Sequence, residues 1–420
     1  TIAGTANFVS SGSSTSGNIT LSNATHNFTT VTASGTNITI ADTNATTFNG
    51  IIGSNVNVTS GGNLTVNSTG ISATGDVSLQ ANNTSGTLSI GGSGIDNQSG
   101  PGTITLTGGY FEQSAGVIKS NSTIAILTLQ TININGGTIQ TPGNVTLNAA
   151  NAISQTSGNI VSGGTANIVS TGFGTKGNIT LNNATNLLNY VTTKGTNITI
   201  VNSNATQMGL VRAGNLTFTA TSGSITQDAS TNMVVSGTAN FIALSGAVSL
   251  TNATNSFGTL EVFSTNVTMV QNGPVNLGNV SLTNLTISAT GAITQNGSLT
   301  ITSTANFVTT GTGTAGNITL NNLNNNFSSG VAIYASGTNI TIVNSNSSGT
   351  QFGNVNATGC LTVNATNGPI TQAIGTNLTV NGTASFVTTG TGTSGNITLL
   401  NLTNKFGRFD ARGTNISVSD

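Results

Sequence analysis

Few side chains in this sequence can move a proton near neutrality. The acids are Asp42, Asp76, Asp96, Glu112, Asp228, Glu261, Asp410 and Asp420, and the one imidazole is His26. Glycan-cleaving enzymes use facing carboxylates as acid and base, and metal sites need carboxylates, imidazoles or thiolates gathered on one face. Here the acids are scattered along the whole chain, and no two are close neighbours in sequence. Only the stacking of separate chain turns, such as those carrying Asp76 and Asp96, could bring two together. His26 lies in a loop-like NATHNF, where other copies of the segment carry Asn or Lys, and a lone His builds no cluster. The expectation is a non-enzymatic chain with no catalytic, cofactor-binding or metal-binding residues.

Two further features invite a chemical reading and lose it on inspection. GGSGIDNQS at 91–99 matches the start of a calcium-binding nonapeptide whose stacked turns supply carboxylate and carbonyl oxygens. It occurs once, and Gln98 stands where an apolar residue belongs, so a metal-free Gly-rich turn is expected. Cys360 is the only thiol, which rules out an internal disulfide framework. Its segment ATGCLTV aligns with copies carrying Asn63 and Asn215 at the same turn position, so it reads as an incidental small residue, with an intermolecular cross-link as the alternative.

The abundant chemistry is amide and hydroxyl. About 34 Asn-x-Ser/Thr triplets are formal N-glycosylation acceptors, although an Asn-apolar-Thr strand pattern generates them automatically. With Ile turned inward, Asn18, Asn37, Asn178, Asn197, Asn317, Asn339 and Asn396 fall on outward positions at strand starts, where they are candidate glycosylation acceptors. Structural Asn ladders are the default expectation for them. Outward Thr in TNIT and GNIT recurs about once per four chain turns, too sparsely for a continuous Thr face.

These residues need elements that position them, and composition says what those are. Only 4% of the chain is charged, its net charge is −1, and Asn, Ser, Thr and 55 Gly dominate. Asn, Ser, Thr and Gly disfavour helices, because the first three compete for backbone hydrogen bonds and Gly carries a large entropy cost. Ile, Val, Leu and Thr at regular spacing argue against disorder. The seven Lys and Arg are scattered and make no stripe to follow a phosphate backbone, so nucleic acid is not an expected partner. No apolar run is long enough for a membrane span.

Aligning the chain with itself gives a long repeat. GTANFV-like segments start at positions 4, 164, 237, 303 and 382, with a degenerate copy hidden in the wide first interval. Within each clear copy come a Gly-Thr-Ser turn, GNITL, and a stretch ending at Phe28, Leu188, Phe257, Phe327 or Phe406. GTNITIVNSN follows, identical at 195–204 and 337–346, and then GNLTV-like and GSITQ or GAITQ segments. The long repeats read as 4–75, 76–163, 164–236, 237–302, 303–381 and a partial 382–420. Because TIAGTANF at the start resembles the interior ITSTANF, and no signal-peptide pattern is seen, the chain is expected to begin inside a longer array.

Each short segment alternates apolar and polar residues, the signature of a strand with one buried face. A string of β-sandwiches or a parallel β-helix fits this rhythm of short strands separated by Gly, Asn and Ser. Aromatics at 4% and the absence of Trp deny a sandwich its bulky anchors, whereas thin stacks of Ile, Val and Leu suit a narrow β-helix. The expected fold is all-β: a right-handed parallel β-helix of roughly 20 coils, one continuous solenoid over 1–420. Strands about 4.8 Å apart would make it a rod on the order of 100 Å long.

The stretches GAITQNGSLTITSTANF (291–307), GNITLNNLNNNF (316–327) and GSITQDAS (223–230) resemble repeats of filamentous haemagglutinin-like exoproteins and autotransporter passenger domains of bacteria. The resemblance covers most of the chain and is weakest from about 80 to 160. It implies a secreted right-handed β-helix at the cell surface, acting in adhesion, aggregation or as a fibre. The near absence of Cys agrees with that setting.

The function expected is therefore structural: a segment of an extracellular fibre or adhesin that self-associates and meets host or substratum surfaces or glycans. The alternative is a carbohydrate-binding or carbohydrate-cleaving β-helix, which carboxylates gathered around an aromatic platform would favour.

Overall fold

A computed structural model describes residues 2–23, 25–82, 84–328 and 330–420. The chain is all-β and its strands pair in parallel, stacked as a β-solenoid of about 20 turns. Contacts divide it after Gly214 into two compact units.

In the first unit one stack of inward side chains runs Ile19, Ile38, Val56, Val77, Ile104, Ile124, Val145, Ala166, Val191, each in register with the next. All nine are buried. The coils between them are uneven, shortest from Ile38 to Val56 and longest from Val77 to Ile104, because insertions bulge at corners and leave the strands in place. In the second unit the corresponding stack runs Val275, Ile293, Ile318, Ile340, Leu361, Ala384. Burying each Val, Ile or Leu contributes about 1.5–3 kcal/mol, so the stacks dominate the stability of both units. Phe352, Phe386 and Phe406 add edge-to-face ring contacts at centroid distances of 6.4 and 6.2 Å.

The Gly-Thr-Ser turns are four short 3₁₀ helices, Ser14–Gly17, Gly174–Gly177, Gly313–Gly316 and Gly392–Gly395. Each ends on the Gly of GNIT, where a Cβ would sit 2.2 Å from the hydroxyl of Thr36, Thr196, Thr338 or Thr414 in the next coil. The backbone N–H of Thr36, Thr338 and Thr414 donates to the carbonyl of that Gly at 2.6–2.7 Å. GNIT therefore lies directly beneath GTNIT, and the two motifs recur together because each shapes the other's seat. The first turn position has φ of 57–59° at Gly174, Gly313 and Gly392, and 53° at Ser14.

Candidate functional site

The acids do not converge. Val77, next to Asp76, pairs with Val56 and Ile104, whereas Asp96 pairs with Ser72 and Lys119, so the stacking leaves Asp76 and Asp96 in different ladders. Asp76 accepts the Thr103 N–H at 2.8 Å, and Asp96 accepts the Gln98 N–H within its own turn at 3.1 Å. Asp228 closes a turn onto Ser230, and Glu112 accepts from Asn135 at 3.3 Å. Asp410 makes an exposed ion pair with Arg408 at 3.2 Å, a contact worth well under about 1 kcal/mol. Among the described residues, no three His, Cys, Asp or Glu side chains gather as a metal site.

GGSGIDNQS forms a turn with Gly92 and Gly94 at positive φ and a strand from Gly94 to Asn97. Asp96 faces outward and Asn97 is fully buried, so a single carboxylate is presented. Cys360 is exposed, and its N–H donates to Asn339 Oδ1 at 2.9 Å, which seats it in the place of a ladder residue.

The seven candidate acceptor Asn residues all belong to amide ladders on the outer surface. Asn37 Nδ2 donates to Asn18 Oδ1 at 2.8 Å, Asn197 to Asn178 at 2.9 Å and Asn339 to Asn317 at 3.0 Å. Asn396 accepts from Asn415 at 3.0 Å, and Asn55 extends the first ladder by donating to Asn37 at 2.8 Å. Asn18, Asn178, Asn317 and Asn396 are the feet of these ladders, and Asn37, Asn197 and Asn339 the rungs above.

A second set of amides points inward. Gln155 and Asn186 exchange two side-chain hydrogen bonds, as do Gln227 with Asn255, Gln295 with Asn325, and Gln372 with Asn404. The Gln is the last residue of the ITQ or ISQ segment, and the Asn ends the NAT or NLN loop of a later coil. The same Asn Oδ1 also accepts a backbone N–H, from Ile160, Met233, Leu299 or Leu378, at 2.9–3.0 Å. Each pair thus ties two coils and a further strand N–H together inside the core, where an unmade amide bond is costly.

A third inward amide ends the GTNITIVN segment. Asn202 and Asn344 accept the N–H of Leu188 and Phe327 at 2.9 and 3.0 Å, and both are fully buried. Asp42 and Asp420 take the same position under Phe28 and Phe406 at 2.9 and 3.0 Å. Two of the eight acids are therefore strand-start acceptors.

His26 stands where these copies have Asn. Its backbone N–H donates to the carbonyl of Asn23, as that of Asn186 does to Asn183 and that of Asn404 to Asn401. It lies outside the strands, as the loop-like segment implied, and is half-buried against the Phe28 ring at a centroid distance of 5.3 Å.

Residues 121–193, 195–262, 264–333 and 337–409 each match a family described as repeats of unknown function, DUF5649. The chain belongs to the DUF5649 repeat family. Successive DUF5649 matches begin at positions 121, 195, 264 and 337, the same period that the GTANFV segments imply. Each matched DUF5649 repeat contains one whole Gln–Asn pair, which makes the pair the internal signature of the unit. No curated protein and no solved structure matches the chain. No helix among the described residues is long and apolar enough to cross a membrane.

Proposed function

We propose that this chain is a structural segment of an extracellular fibre or adhesin of the filamentous haemagglutinin-like kind, displayed at a cell surface and self-associating. The observation that supports it is the division of its amides. One set locks coils together inside each repeat, and the other places short ladders of uncharged Asn on the outside. An exterior of this kind is solubilised by hydrogen bonding and offers weak contacts repeated along the chain, which multiply into avidity when many act at once.

Negative-stain microscopy of native surface material, with an antibody raised against residues 1–420, tests the reading. Labelled fibres or surface projections are the expected result. Dispersed, unattached monomers in native material would sink it.

A further inference from the structure

A break in strand register recurs next to the GTANF segment of several repeats. Strand Ala332–Gly337 pairs with Thr350–Ala357 as Ala332 to Gln351 and Ile333 to Phe352, then jumps to Ala335 opposite Val355. Tyr334 consequently faces two residues, Gly353 and Asn354, across a β-bulge. A Cβ on Gly353 would lie 2.4 Å from Cε1 of Tyr334, so the ring rests on bare backbone of the next coil. Asn306 lies in register on the other side of Tyr334. Tyr334 and Asn306, with Asn354, Asn356, Asn377 and Thr379, line an open hollow of about 350 Å³.

The same frame appears twice more with a different centre. Thr32 faces Asn49 and Gly50, with Asn7 in register below it, around a hollow of about 310 Å³. Glu261 faces Gly278 and Asn279, with Asn240 in register below it. Bulges interrupt ladder hydrogen bonds and re-aim side chains, and they occur often beside binding sites. Here an outward Asn and a bulge Gly stay fixed while the residue between them changes from Thr to Glu to Tyr. Two side-chain oxygens at these places, Asn49 Oδ1 and Asn240 Oδ1, are buried without a hydrogen-bond donor.

We propose that the Tyr334 hollow is a subsite for a neutral sugar. Its lining carries no charge, which disfavours phosphate, sialate or nucleic acid. Planar amides offer a donor and an acceptor side by side, the arrangement that adjacent sugar hydroxyls meet, and the Tyr ring face covers the C–H face of a pyranose. The other two centres do not make this site. The Thr32 hydroxyl is already donated to Asn7 at 2.9 Å, and Glu261 brings a negative charge in place of a ring. The inference deepens the adhesive reading above and rests on it only for the site's biological use.

A single hexose in an open site has a Kd on the order of 1 mM. Saturation-transfer NMR of the 420-residue chain with glucose, galactose, mannose and N-acetylhexosamines, and with sialic acid and inorganic phosphate as controls, is the test. At least one neutral sugar is expected to bind, with Tyr334→Ala weakening it tenfold or more, Tyr334→Phe retaining most of it, and Thr32→Ala leaving it unchanged. Gly353→Ala is expected to displace the ring and match Tyr334→Ala. Circular dichroism of each variant shows whether the fold is intact. Absence of neutral-sugar binding, binding indifferent to Tyr334→Ala in a folded protein, or a preference for the anions overturns the proposal. Any of these leaves the fibre reading standing, since microscopy judges that separately.

Discussion

Gln155 and Asn186, on separate coils, bond amide to amide: Gln155 Nε2 donates to Asn186 Oδ1 at 2.9 Å, and Asn186 Nδ2 donates back to Gln155 Oε1 at 2.8 Å. The two partners are not equivalent. Asn186 also holds the Ile160 N–H at 2.9 Å and the Val201 carbonyl at 3.2 Å, whereas Gln155 adds only the Gly158 carbonyl. Asn186→Ala is expected to destabilise the first unit by about 3 kcal/mol and Gln155→Ala by about 2 kcal/mol, because each leaves buried amide groups without partners. Urea unfolding followed by circular dichroism measures both. Losses below about 0.5 kcal/mol for Asn186→Ala would show that the pair is incidental.

Ser14 occupies the left-handed turn position that Gly174, Gly313 and Gly392 occupy elsewhere. An L-residue there is strained by about 1–2 kcal/mol, and Gly recovers this less its own entropy in the unfolded chain. Ser14→Gly is expected to stabilise the first turn by about 0.5–1 kcal/mol, seen as slower amide exchange around Gly17. Faster exchange would contradict the strain argument.

At Gly177 the opposite substitution is expected to fail. A Cβ there meets Thr196 Oγ1 at 2.2 Å and the Gly172 carbonyl oxygen at 2.3 Å. Gly177→Ala is expected to cost about 2 kcal/mol or more. Adding Thr196→Ala removes one obstacle and leaves the backbone one, so the double variant should recover less than half. Full recovery in thermal melts would assign the glycine to the hydroxyl alone.

The ladders sort the candidate glycosylation acceptors. A sugar on Nδ2 of Asn37, Asn197 or Asn339 replaces a hydrogen that the amide can use as donor, whereas the ladder bonds of Asn18, Asn178, Asn317 and Asn396 run through Oδ1. In a folded chain exposed to a glycosylating enzyme, occupancy is expected at the four feet and not at the three rungs. Peptide mass mapping of native protein checks it, and equal occupancy of both classes would defeat the distinction.

The outline of the fold was legible because period-2 alternation reports burial directly. Ile198 and Ile200 turn inward, flanked by Asn197 and Thr199, as their pattern implied. The inner amides were harder to see. Asn reads as an outward residue on composition, and nothing local separates Asn186, which is fully buried, from the exposed Asn197. What separates them is a distant partner: a Gln ending ISQ or ITQ on an earlier coil pairs with Asn186, Asn255, Asn325 and Asn404. The Tyr334 hollow was hidden for another reason. A bulge is a mismatch between two strands on successive coils, and one strand read alone gives no sign of it.

Each Gln–Asn pair closes within its own repeat, and this bears on how genes for such chains change length. The stretches 195–204 and 337–346 are identical, so an exchange between them leaves the amino-acid sequence at the join unchanged. An exchange joining residue 204 to residue 347 removes the Gln227–Asn255 and Gln295–Asn325 pairs entire, and cuts neither Gln155–Asn186 nor Gln372–Asn404. The shortened product keeps both remaining Gln–Asn pairs whole. The protein is therefore built so that whole repeats can be removed without dividing any of these amide pairs between a part that is kept and a part that is lost.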